Sequence, residues 1–304
     1  MLNRYEYGNI VWIDIENPSP EDVEAVSNEF ELGPLLIEEL LTPTAKPRVD
    51  VYPDFVYTVL HFPALRYTHG LEANHEIDLI LGANFIITTH YSTASATYDL
   101  ARAFEAASLL GKSSPSVGVG HIFLELVQRL YQAADNELDA LEEIIEDIEA
   151  HIFEGYEKEM VSAISFASRE LLTHKRLLGT HHDVLETLEK ATRTLFGELY
   201  AHQVRGSAAL HYRVLHRALT MNDILNELRE TNIALLSTRQ NEIMKNLTIV
   251  AFITFPLTLI AGIFGMNATN IPIIGAQYDF WIILGGMAIL TIFFFFYFKV
   301  KKWF

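Results

Sequence analysis

Between Lys245 and Lys299 this 304-residue chain carries one charged side chain, Asp279, in 53 residues. Within that stretch Leu247 to Met266 is twenty mostly apolar residues and Phe280 to Phe298 is nineteen. At about 1.5 Å of rise per residue, each segment is long enough as a helix to cross a hydrocarbon layer roughly 30 Å thick. Uncharged runs of this length, with Phe293 to Phe296 unbroken, leave no face for water. Two membrane-spanning helices are expected rather than a pair of core helices in a water-soluble fold. Lys299, Lys301 and Lys302 follow the second span at once, with Tyr297 and Trp303 suited to the interface. That bias puts the C-terminus in the cytoplasm of a cell-membrane protein, and two spans put the N-terminal part there as well. Met1 to Ile10 shows no basic segment leading into an apolar run, so no cleaved signal peptide is expected.

The remainder of the chain has the opposite character. The whole sequence holds 39 acidic and 22 basic residues, a net charge of −17. With Asp279 and the three C-terminal lysines set aside, residues 1–245 hold 38 acidic and 19 basic side chains, a net −19. Such a surface argues against a nucleic-acid partner, since phosphate contacts need a basic face. With no cysteine, disulfides, thiolate zinc sites, iron–sulfur clusters and cysteine nucleophiles are excluded. No Gly-rich phosphate loop, His-Glu-x-x-His or nucleophile elbow is present, so no enzyme is expected.

The span residues form a pattern. Asn241, Met244, Thr248, Ala251, Phe255, Thr258 and Gly262 recur at alternating steps of three and four, one face of a long helix. Polar residues at both ends with Met and Phe between describe either a pore lining with an apolar constriction or a plain helix-packing stripe. A hairpin of two helices cannot enclose water alone, so a pore needs several copies. Ala261, Gly262, Gly265, Gly285 and Gly286 would allow close helix approach.

Gly265-Met266-Asn267 closes the first span, preceded by Met244-Lys-Asn-Leu-Thr and by Phe255-Pro-Leu-Thr-Leu-Ile-Ala-Gly-Ile-Phe, and the chain ends on Lys301-Lys302-Trp303. This run resembles the CorA family of magnesium channels. The resemblance implies a funnel-shaped homopentamer. In it a cytoplasmic α/β domain (1–116) leads into long helices that include a stalk (117–245). A first membrane helix (246–267), an outer loop (268–279), a second membrane helix (280–298) and a basic tail (299–304) follow. It implies influx of Mg²⁺, with Co²⁺ or Ni²⁺ as further cargo and no resident cofactor. Gly265, Met266 and Asn267 would form the pore mouth, with Asn267 side chains and Gly265 carbonyls meeting the hydrated ion. Asn241, Met244, Leu247, Phe255 and Thr258 would line the path, Leu247 taking the place that spacing alone gives equally to Thr248. Met244 and Leu247 would gate it by dewetting. Mg²⁺ holds its six waters tightly, so neutral oxygens that grip the hydrated ion suffice and no mouth carboxylate is required. Against that, Gly265 and Asn267 are also the residue types of a left-handed helix cap.

Two further readings stay open. A zinc transporter of the same superfamily, the ZntB type, usually has Ile where Met266 stands here. A cytoplasmic enzyme or sensor merely anchored by the hairpin is the reading from another class.

Residues 9–90 alternate β-rich runs (Ile10 to Ile15, Phe55 to Phe62, Glu76 to Leu81, Phe85 to Thr89) with helical pieces near Pro20 to Glu29 and Pro34 to Leu41. From Gly120 the pattern is helical, with two long helices expected over Val117 to Phe153 and Glu157 to Phe196, a turn at Gly155, and a third running unbroken from about Gln203 through the membrane. Ten acids and one base lie between Glu137 and Glu159: a cation-gathering surface or an ordinary solvated face. Asp223, Glu227 and Glu230 fall on the continuation of the pore-facing seam and would ring an inner funnel. The resemblance also implies stalk carboxylates that sense Mg²⁺. At that place stand His202, Arg205, His211, Arg213, His216 and Arg217. These histidines, with His174, His181 and His182, are either inter-helix and surface groups or ligands for Zn²⁺ or Ni²⁺.

Overall fold

In the computed structural model the described residues are 1–63, 74–91, 97–98, 100–102, 118–266, 273–275, 278–301 and 303. They divide into two compact units, Met1–Arg229 and Glu230–Phe304.

The first unit is built on a six-stranded sheet of β1 (Leu2–Tyr7), β2 (Ile10–Glu16), β3 (Arg48–Val51), β4 (Phe55–Pro63), β5 (Asn74–Gly82) and β6 (Phe85–His90), in the order β1-β2-β6-β5-β4-β3. Only β2 and β6 pair in parallel, with Val11 opposite Phe85. Gly8 at φ +63 makes the β1–β2 turn, a conformation most side chains avoid. The four strands expected from sequence are all present. The two that the pattern misses, β1 and β3, are the two edges of the sheet. Edge strands keep one side in water and carry charges that deter pairing with other chains, as Arg4, Glu6, Arg48 and Asp50 do here, so their apolar alternation is faint.

Helices α1 (Pro20–Phe30) and α2 (Pro34–Glu39) connect β2 to β3. The Ser19 hydroxyl accepts from the Asp22 amide at 3.1 Å and Pro20 occupies the first helical position, which together start α1. Their buried Val23, Val26 and Leu36 pack with Ile13, Ile15, Phe55, Tyr57, Val59, Ile80 and Ile87 of the sheet. Each such side chain contributes about 1.5–3 kcal/mol when fully buried. Every residue of β4 is buried, because α3 (Val119–Glu154), α4 (Glu157–Gly179) and α5 (His181–Phe196) also lie against it.

Gly155, at φ +102, ends α3 as the turn residue the sequence marks. The second expected helix is in fact two. The Thr180 amide and hydroxyl both bond to the Leu177 carbonyl, at 3.3 and 2.7 Å, and end α4. The next side chain, His181, is buried and tied to the sheet. A tertiary anchor makes this break, and helical periodicity does not register it. After Gly197, at φ +90, α6 (Glu198–Phe264) runs 67 residues without interruption, as expected for the third helix.

The second unit contains the last part of α6 and α7 (Asp279–Val300). In the most apolar stretch of each helix, 6% and 0% of residues are buried. Core helices of a water-soluble domain would be covered, so that alternative fails. The two helices meet where the rings of Phe252 and Phe298 lie 6.3 Å apart, edge to face.

Candidate functional site

The seam residues lie on the second unit's share of α6. Asn241, Met244, Leu247, Phe255 and Thr258 are all exposed on this single chain. At 100° per residue they fall within one arc of about 120°. Thr248 is half-buried, and its hydroxyl donates to the Met244 carbonyl at 2.7 Å. Thr254 and Thr258 likewise bond back, to the Val250 and Thr254 carbonyls at 2.8 and 2.9 Å. Polar groups on a membrane helix are thus satisfied within the helix itself. Pro256 leaves the Phe252 carbonyl without its usual amide partner. Neither Thr254 nor Thr258, the nearby hydroxyls, takes that carbonyl. Leu247, Thr248, Ala251, Phe252, Phe255, Pro256 and Leu259 line an apolar groove of about 750 Å³.

At the outer end of α6 the Gly265 amide bonds to the Ala261 carbonyl at 2.9 Å, and the Met266 amide reaches the Ile263 carbonyl at 3.4 Å. Gly265 is not among the residues with positive φ, so the left-handed cap proposed for it is absent. A side chain there would instead place its Cβ 3.0 Å from the Ala261 carbonyl oxygen. Asn267 lies outside the described residues. Asp279, the one carboxylate of the apolar region, is spent on local structure. Its oxygens accept from the Phe280 amide at 2.7 Å and the Gly275 amide at 3.1 Å, at the positive end of α7.

Asp223, Glu227 and Glu230 are exposed on α6 at the i, i+4, i+7 spacing of one helix face. Two of the bases further up the helix, Arg217 and Arg205, are engaged inside the first unit. Arg217 pairs with Asp135 at 3.0 Å, with Asp139 at 2.6 Å and with Glu142. Partial burial alone would lower its pKa, but the three carboxylates raise it above the usual arginine value. Arg205 reaches Glu189 at 2.7 Å and Glu198 at 3.7 Å, and Glu189 is held below the ordinary glutamate range chiefly by that hydrogen bond. Two members of the acidic α3 run, Asp139 and Glu142, therefore serve an internal ion pair. Sequence could not reveal it, because the partners lie 75 to 82 residues apart.

The histidines sort the same way. His181 is fully buried: its Nδ1 accepts from the Tyr131 hydroxyl at 2.8 Å and its Nε2–H donates to the His61 carbonyl at 3.0 Å. His211 Nε2–H donates to the Leu178 carbonyl at 2.7 Å, and His174 Nδ1–H to the Glu170 carbonyl at 2.9 Å. Burial lowers the pKa of all three. Among the described residues no three His, Asp or Glu side chains are grouped to hold a metal. The inter-helix reading is the one observed for these three.

Comparison with known proteins adds the following. A family model described as CorA-like Mg²⁺ transporter protein matches residues 7–301. The cobalt/magnesium transport protein CorA of Thermotoga maritima is 27% identical over 305 residues, covering 96% of this chain and 83% of that protein. The complete structure of the CorA magnesium transporter from Methanocaldococcus jannaschii superposes with a TM-score of 0.83 at 20% identity, covering 97% of this chain and 92% of the other. The ZntB cytoplasmic domain from Vibrio parahaemolyticus superposes at 0.61 with 14% identity, over 75% of this chain and 88% of its own.

Proposed function

We propose, for a chain that belongs to the CorA-like Mg²⁺ transporter family, that it conducts Mg²⁺ into the cell as a homopentamer. Family membership makes it a membrane transporter of metal ions rather than an enzyme. The ion, the assembly and the residues are our reading. The observation that carries it is the Gly265-Met266-Asn267 sequence closing an uncharged, uncovered span whose polar side chains share one face. A ring of Asn267 amides at the mouth would hold the ion through its hydration shell, a low-cost arrangement for a cation that dehydrates reluctantly. In the proposed assembly the apolar groove beside Phe255 and Pro256 would lie against a neighbouring copy of the same helix. Cobalt and nickel would follow the same hydrated route. Lys299, Lys301 and Lys302 directly after the second span support a cytoplasmic position for both termini.

The test is flux into liposomes: Asn267→Ala should abolish Mg²⁺ uptake, and uptake at the unmutated rate overturns the reading. A second reading, proton-coupled Zn²⁺ transport, draws on the likeness to the ZntB cytoplasmic domain. Met266 favours magnesium. Comparing Mg²⁺ and Zn²⁺ uptake with and without a pH gradient separates the two.

A further inference from the structure

The first unit contains a cavity of about 680 Å³ that the transport reading does not use. That volume lies within the range of small-molecule sites, about 300–1,000 Å³. Its walls come from the α2–β3 connection (Pro43 to Pro47), from His61 of β4 and Glu76 of β5, from Tyr91, and from the C-terminal turn of α4 with Arg176, Leu177 and Thr180.

The one carboxylate on the wall is consumed. Glu76 Oε1 accepts from both the Thr44 amide and hydroxyl, at 2.6 and 2.7 Å, and Oε2 accepts from His61 Nε2 at 3.2 Å. Burial would raise the pKa of Glu76, but these bonds outweigh it and keep the group ionised. Tyr91 is committed too, its hydroxyl donating to Asp78 at 3.1 Å. The cations are not committed. Lys46 and Arg176 are exposed and form no ion pair among the described residues, in a chain where acids outnumber bases 39 to 22. His61 is committed as well. Its Nε2 faces two acceptors, the Thr44 carbonyl at 3.0 Å and Glu76, so Nε2 carries the proton.

A spent acid and two free cations suit an anion. The guanidinium fork and the ammonium are the groups that hold phosphoryl oxygens. Pro43, Pro47 and Leu177 add an apolar wall on which a flat ring can lie. We propose that this cavity binds a phosphorylated small molecule of nucleotide size. Such an anion also chelates Mg²⁺, so its occupancy would report on the demand for the ion the chain is proposed to carry. The binding itself does not depend on that reading.

Equilibrium titration of the full-length chain in detergent, with EDTA present, tests it using adenosine triphosphate, tripolyphosphate and inorganic phosphate as probes. Adenosine triphosphate should bind saturably, one per chain, and more tightly than tripolyphosphate. Lys46→Ala and Arg176→Ala should each weaken it by about tenfold or more. Ala45→Trp, which fills the mouth and leaves both charges, should abolish it, and Arg213→Ala should leave it unchanged. All four side chains are exposed, so folding should survive, as circular dichroism would confirm. No saturable binding up to millimolar concentration, equal binding of tripolyphosphate, or unaltered binding by Ala45→Trp each overturns the proposal. The titration reads no flux, so failure here and failure of transport are separate results.

Discussion

Acidification should destabilise the first unit through His181. In the folded chain its Nδ1 is occupied by the Tyr131 hydroxyl and its Nε2–H by a sheet carbonyl, and no carboxylate is bonded to it. Burial first, and the neighbouring His211 second, pull its pKa from 6.5 down to about 3. Between those values the unfolded chain takes up a proton and the folded chain does not. Stability therefore rises with pH across that window, and it is lost as pH falls below 6.5. At about 1.36 kcal/mol per pH unit, His181 alone removes about 2 kcal/mol by pH 5, a large part of a net stability of roughly 5–15 kcal/mol. His174 and His211, whose pKa values burial also lowers, act in the same direction.

The assay is urea unfolding of the full chain in detergent at pH 7.5 and pH 5, followed through the buried Trp12. His181→Gln keeps a donor for the His61 carbonyl and cannot titrate. It should lower stability by about 1–3 kcal/mol at pH 7.5 through imperfect hydrogen bonding, yet lose about 2 kcal/mol less than the parent on moving to pH 5. An identical pH dependence in the two proteins would refute the assignment.

Two other outcomes follow from the same contacts. Arg217→Ala leaves Asp135, Asp139 and Glu142 facing one another and should lower the melting midpoint, with the loss shrinking as salt is added; a salt-independent change would mean the ion pair is not the cause. Met244→Asn changes a side chain that is 58% exposed, so stability should hold while resting Mg²⁺ flux into liposomes rises, and an unchanged flux would remove Met244 from the gate.

The sequence alone determined the parts whose physics is local. Within fifty-three residues carrying one charge, two apolar runs of twenty and nineteen residues dictate spanning helices, since a helix satisfies its own backbone in lipid and these runs are long enough to cross it. Strands β2, β4, β5 and β6, the helix stop at Gly155 and the unbroken α6 were legible for the same reason: period, propensity and a left-handed glycine act over a few residues. The pore-facing seam was legible as spacing, with its assignment to an ion path resting on the Gly-Met-Asn resemblance.

The tertiary structure decided what depends on partners distant in the chain. The break at Thr180 follows from His181 bonding to a strand 120 residues away. The stalk bases that stood where sensing carboxylates were expected turn out to hold α3 and α5, through Arg217 and Arg205. Edge strands β1 and β3 were invisible because an edge must look polar to stay unpaired. The cavity beside Glu76 has no sequence signature at all: its walls come from five separate segments, and whether a charge there is spent or free is settled by which groups folding brings within hydrogen-bond reach.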